Sequence, residues 1–183
     1  MASILDSLAN KQGDTTKSAS WYKNAISSIG EKITANKLMA QGKLTARPNI
    51  GLLNLFFYDP KDKETLPYYD TFPLVLPLES IKGGFSGLNF HYLSPGLRLR
   101  LLENMQRYAT SPKLDVARFD VSWSRVKNIP LAKATIKKYL YKHVRSSFLR
   151  IDLQQAAIAC YLPVQQFQKR PAASVYAASR SFI

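Results

Sequence analysis

At 183 residues, 46% of them hydrophobic, the chain is long enough to bury a core as one globular domain, and no apolar run is long enough for a transmembrane helix. Lysine and arginine number 26 against 12 aspartates and glutamates, a formal net charge of +14. A single cysteine, Cys160, excludes an internal disulfide and a cysteine-cluster zinc site.

The positive charge is uneven. Residues 1–50 carry a net +4, residues 51–100 are neutral, residues 101–150 carry +8 and residues 151–183 add +2. Such a field attracts a polyanion, nucleic acid ahead of an anionic membrane surface, and no membrane partner is expected. The start, MASILDSLANKQGD, has no basic segment followed by a long apolar one, so no secretory signal is expected.

In chain order, residues 1–19 are polar and read as a flexible or partner-ordered N-terminal arm, residues 20–162 as a single domain and residues 163–183 as a C-terminal tail. From Ser20, which can cap, Trp21, Ala25, Ile29 and Ile33 recur at helical spacing. A second helical piece covers 32–44, until Arg47-Pro48 breaks it. Three apolar runs follow at 52–58, 72–78 and 85–93, each closed by Pro, Gly or Asp and read as strands. Gly83 and Gly84 allow the positive φ of a hairpin. Pro60, Pro67, Pro73 and Pro77 each remove a ladder donor, which favours short, bent strands. The expected fold is α+β: a small, partly open antiparallel β-barrel (SH3-like), its β core at 50–93, flanked by several α-helices.

Ser94-Pro95-Gly96 starts a helix to about Tyr108, with Leu97, Leu101 and Met105 on one face and Arg98, Arg100 and Arg107 on the other. Residues 114–129 fit both a strand, through Phe119, Val121 and Trp123, and a helical face; a helical or mixed segment is the preferred reading. Residues 131–146 are expected to be the most regular helix. Ile136, Leu140 and Val144 form its stripe, flanked by Tyr139 and His143, with Lys137, Lys138, Lys142 and Arg145 opposite. Lysines four apart repel, and an outside anion would relieve that repulsion; a merely solvated face is the alternative. A last helix covers 147–162, and Pro163 stops it.

Chemistry is sparse. His91 and His143 cannot make a zinc cluster, and no phosphate loop, nucleophile elbow or dinucleotide fingerprint occurs. His91, in an aromatic run, reads as a hydrogen-bonded core or rim residue. Asp59, Asp62, Glu64 and Asp70 lie in a turn-rich loop, whereas a metal-dependent nuclease needs carboxylates converging from rigid elements. No catalytic residue, metal site or cofactor is expected, and the chain reads as a non-enzyme. Tyr68, Tyr69, Tyr139 and Tyr141 interleave with cations as in single-strand binders, although packing is the commoner role of such rings. Duplex DNA held through its phosphates demands less of the sequence and is preferred.

Three strings carry a family likeness: Phe56-Phe57-Tyr58-Asp59-Pro60-Lys61; Leu66-Pro67-Tyr68-Tyr69-Asp70 followed by Phe72-Pro73-Leu74-Val75; and Gly84-Phe85, Gly87-Leu88-Asn89, His91-Tyr92-Leu93. With Ser20-Trp21-Tyr22 and Tyr139-Leu140, they resemble the DNA end protector, or head-completion, family of T-even-type tailed-phage (myovirus) virion proteins. The likeness covers most of 20–162 and is densest at 50–93. It implies a virion protein, assembled in the host cytoplasm, bound to the terminus of packaged DNA at the head–tail junction. There it would shield the end from exonuclease by steric occlusion. The phosphate contacts expected for that role are Lys137, Lys138, Lys142 and Arg145, with Arg98 and Arg100 in addition. Viral DNA and other phage neck, tail or head proteins in a larger assembly are the expected partners. The alternative is a purely structural neck, tail or baseplate component.

Overall fold

Hydroxyl side chains start the first three helices. The computed structural model of the chain describes residues 2–111 and 118–183. In helix α1 (Ile4–Gln12) the Ser3 hydroxyl accepts from the Asp6 amide at 3.0 Å. Ser18 caps α2 (Ala19–Ser27) and Thr34 caps α3 (Ala35–Gln41) in the same way. Strands β1 (Leu44–Thr45), β2 (Leu53–Leu55), β3 (Tyr69–Asp70), β4 (Leu74–Ile81) and β5 (Gly84–Asn89) follow. Pro95 opens α4 (Pro95–Met105), and a single turn, α5 (Trp123–Val126), precedes β6 (Ile136–Leu140) and β7 (Phe148–Ile151). An Asp152–Gln155 capping box begins α6 (Leu153–Tyr161), and β8 (Phe167–Gln168) and α7 (Ala172–Arg180) complete the chain.

Six strands form one antiparallel sheet in the order β1-β7-β2-β4-β5-β6, while β3 and β8 pair separately. The α+β class and the antiparallel pairing match the sequence reading. The sheet does not close, however, and the SH3-like barrel is not formed: β1 and β6 remain its edges. One face lies under helices instead of curling onto its own strands. There Leu53, Leu55, Leu74, Leu76, Leu88, Leu149 and Ile151 share a core with side chains of α1, α3, α4 and α6. The opposite face carries a smaller aromatic cluster of Phe56, Tyr58, Val75, Phe85, Tyr139 and Phe148. Phe85 and Tyr139 stack with centroids 5.4 Å apart, and Phe56 meets Tyr139 edge-on.

Three expectations about strands need correction. Pro77 does not cut its strand short, because β4 runs through it and shifts register between Pro77 and Glu79. The regular helix expected over 131–146 is mainly a strand, β6, between short 3₁₀ turns at Pro130–Thr135 and Tyr141–His143. A spacing of four keeps residues on one side of a strand as well as of a helix, so Ile136, Leu140 and Val144 could not decide the period. Pairing decides it. β6 lies along β5, with Tyr139 opposite Phe85 and Lys137 opposite Gly87. Gly84 permits that approach, since a Cβ there would collide with the Tyr139 carbonyl oxygen. The helix expected over 147–162 likewise begins as β7 and becomes helical only at Leu153.

Neither terminal stretch is free of the core. Ile4, Leu5, Leu8 and Ala9 of α1 are buried, and the Gln12 amide donates to the Gln154 carbonyl. At the other end β8 pairs with β3, and Val175 of α7 is fully buried. Part of the ambiguous 114–129 segment lies outside the described residues; within the remainder, Phe119 bridges to Ala109, and α5 supplies one helical turn.

Candidate nucleic-acid interface

β6 and the turn after it position most of the predicted cations. Successive strand residues face opposite sides, so Lys137 goes with Tyr139 toward the aromatic face while Lys138 is exposed at the sheet edge. Lys142 is exposed in the following turn, and Arg145 stands just beyond it. Backbone links hold this turn against the loop after Tyr58: the Asp59 amide donates to the His143 carbonyl, and the Arg145 amide donates to the Phe57 carbonyl. Arg145 donates to the Lys142 carbonyl at 2.7 Å and approaches Asp59 at 3.7 Å. Among the described residues, Lys137, Lys138, Lys142 and Arg100 have no carboxylate within ion-pair distance. Arg100 faces solvent from α4, in the helical layer rather than on β6.

Arg98 must be removed from the interface. Its side chain is fully buried, and its guanidinium donates to the carbonyls of Phe90, Leu93 and Cys160 at 3.1, 2.8 and 3.0 Å and to the Tyr176 hydroxyl at 2.8 Å. It ties α4 to α6, α7 and the turn after β5. Helical arithmetic placed it opposite Leu97, yet Arg98, Leu101, Leu102 and Met105 also share a face, and that is the buried one.

Near this arginine lies a second buried polar group. His91 Nδ1 and Asp70 Oδ2 are 2.8 Å apart, and both side chains are inaccessible. The other Asp70 oxygen accepts from the amides of Phe72 and Gln166. Burial alone would raise the Asp70 carboxyl, but His91 and these amides outweigh it and hold the carboxyl below its ordinary range. Burial pushes His91 down, against the pull of Asp70. His91 is therefore neutral, donating from Nδ1 to an ionised Asp70, in line with the core role read for it from sequence. The unfolded chain binds more protons at both positions, so stability is present above the unfolded values and is lost as pH falls. Thermal unfolding should show the midpoint declining from about pH 6.5 downward; a midpoint flat to pH 4 would refute the assignment.

The loop acids do not converge. Asp59 pairs with Lys63 at 2.9 Å on the surface, Asp70 is buried, and no metal-binding group of His, Cys, Asp or Glu occurs among the described residues.

Of the tyrosines considered for base stacking, Tyr139 is core and Tyr141 is 46% exposed. Tyr68 and Tyr69, both half-buried, line a cavity of about 690 Å³ between the 60–70 loop and β6. Lys137 enters the same cavity, its Nζ 4.1 Å from the ring centre of Tyr92, and burial lowers its pKa. Lys137 thus stands apart from the exposed row expected for it with Lys138, Lys142 and Arg145. A strand register at Tyr139 would have turned it inward.

A family model described as Phage T4 terminal DNA protecting protein matches residues 2–183. The chain belongs to that family. Protection of a DNA end in a phage is thus the function of this chain, and binding of the DNA end is part of it. Comparison with curated proteins gave no match, and neither did comparison with solved structures.

Proposed function

We propose that this protein caps the end of packaged phage DNA at the head–tail junction of the virion and shields it from exonuclease by steric occlusion, without chemistry on the DNA. The observation that carries the reading is the exposed row Lys138, Lys142 and Arg145 along the edge strand and its turn, of which, among the described residues, only Arg145 approaches a carboxylate. Uncompensated cations on a strand edge suit phosphates spaced along a backbone, which fix a duplex without reading its bases. Lys137 beside them and Arg100 on α4 supply further contacts. Viral DNA is the partner of this surface, neighbouring neck, tail or head proteins are the partners of the rest, and neither cofactor nor membrane enters.

The test is a gel-shift series on linear duplex with exonuclease digestion in parallel. Five phosphate contacts give a log–log salt slope near −4.5, so affinity should fall about 500-fold between ~50 and ~200 mM salt. Digestion from the ends should slow in proportion to occupancy. A flat salt dependence would refute the phosphate contacts, and full occupancy without slower digestion would refute occlusion.

A further inference from the structure

The cavity beside β6 has a composition that a duplex-binding surface does not require. Its volume of about 690 Å³ suits a small ligand and is far too little for a turn of duplex. Five tyrosines line it, Tyr58, Tyr68, Tyr69, Tyr92 and Tyr139, and Tyr68, Tyr69 and Tyr92 each carry a cation over one face. Arg170 lies 5.5 Å from the centre of Tyr68, Lys169 5.9 Å from Tyr69 and Lys137 4.1 Å from Tyr92. Neither Lys169 nor Arg170 lines the cavity itself, and the Lys169 ammonium is committed to the carbonyls of Lys63, Glu64 and Leu66. Lys137 and Arg170 have no ion-pair partner among the described residues. The Asp70 carboxylate borders the space, but its side chain is inaccessible and its oxygens are taken by His91, Phe72 and Gln166. Asp62 is exposed at the rim, beside Lys61. The cavity therefore offers aromatic faces and, at Lys137, a half-buried cation without a counter-ion among the described residues, with Lys61 and Lys138 also on its lining.

We infer that this cavity receives the terminal nucleotide of the bound DNA, its base against Tyr68 and Tyr69 and its phosphate against Lys137. The inference rests on the DNA-end reading above and adds to it the means of choosing an end. A base inside a duplex reaches such a space only by leaving its stack and its partner, a cost that an unpaired terminal nucleotide escapes. Aromatic stacking tolerates any base, so ends are selected without sequence being read. A phosphate at Lys137 also supplies the counter-ion that the half-buried ammonium lacks, in surroundings where charge attraction is weakly screened.

The test uses the full chain and linear duplexes with a short single-stranded overhang, carrying the fluorescent base 2-aminopurine at either the terminal or an internal position. A covalently closed circle of the same sequence is the competitor. Binding should change the fluorescence only at the terminal position, and the linear form should be preferred about 5- to 150-fold, the range that one stacked base supports. Tyr68→Ala and Lys137→Met should each remove most of the signal and of the preference. Both positions are half-buried rather than core, and an unchanged thermal midpoint would verify folding. A wild-type signal that is absent, or equal at both positions, overturns the inference and leaves the phosphate row standing. Variants that keep signal and preference overturn it as well. Failure to bind either DNA overturns both readings.

Discussion

Replacing Arg98 with methionine is expected to destabilise the fold by about 3–5 kcal/mol, since several buried acceptors, at about 1–3 kcal/mol each, lose their donor at once. Methionine keeps much of the apolar stem, so the loss isolates the guanidinium. Three effects add. The carbonyls of Phe90, Leu93 and Cys160 lose their donor inside the core, where an unmet acceptor is costly. The Tyr176 hydroxyl loses its partner, and with it α7 loses a tether to α4. The buried Asp70 carboxylate loses a nearby positive charge, one that it in turn favours against the larger, opposite pull of burial on Arg98. Arg98→Lys should recover only part of the loss, because one ammonium cannot reach carbonyls that a planar fork spans. Urea unfolding at neutral pH measures both variants. A loss under about 1 kcal/mol would mean that the carbonyls find other donors. DNA affinity supplies an independent control: the folded fraction of Arg98→Met should keep the wild-type salt slope, since this side chain never meets solvent.

That control matters because Arg98 shows where the sequence misled. Counted from Leu97, the helix has Arg98 on its polar side; counted from Leu101, Leu102 and Met105, the same residue lies inside. A side chain with five donors can satisfy five protein partners, and nothing local in the sequence reveals that residues 90, 91, 93, 160 and 176 will converge on it. Helix starts were more legible, because a cap is a local event. The helix expected from Ser20 exists, although Ser18 is its cap. The three apolar runs did mark β2, β4 and β5. The strand at β6 was hidden by a four-residue spacing common to both periods, and what resolves it is the neighbouring β5, with Gly84 and Gly87 leaving room for the approach. Of the predicted contact residues, Lys138, Lys142, Arg145 and Arg100 are on the surface and Lys137 enters a cavity. The tyrosines around that cavity were noticed only as rings near cations, because the loop that brings Tyr68 and Tyr69 to β6 is tied by long-range bonds from Lys169 and Gln166.

Neutralising the exposed row, as Lys138→Gln, Lys142→Gln and Arg145→Gln together, should lower DNA affinity about 500-fold at ~0.1 M salt and flatten the salt slope by about 3. The two readouts must move together, since each lost contact removes one released counterion. The fold should be nearly unaffected. Among the described residues Lys138 and Lys142 have no carboxylate partners, and the bonds of Arg145 to Lys142 and Asp59 are solvent-exposed. The protection assay then separates affinity from mechanism. A steric cap protects according to its occupancy, so the triple variant should restore full protection once its concentration is raised to saturate the ends. An unchanged salt slope would show that the row does not touch phosphate. Weak protection at saturation would show that the cations do more than hold the DNA, because an occluded end is blocked however loosely the cap is bound, provided it is bound.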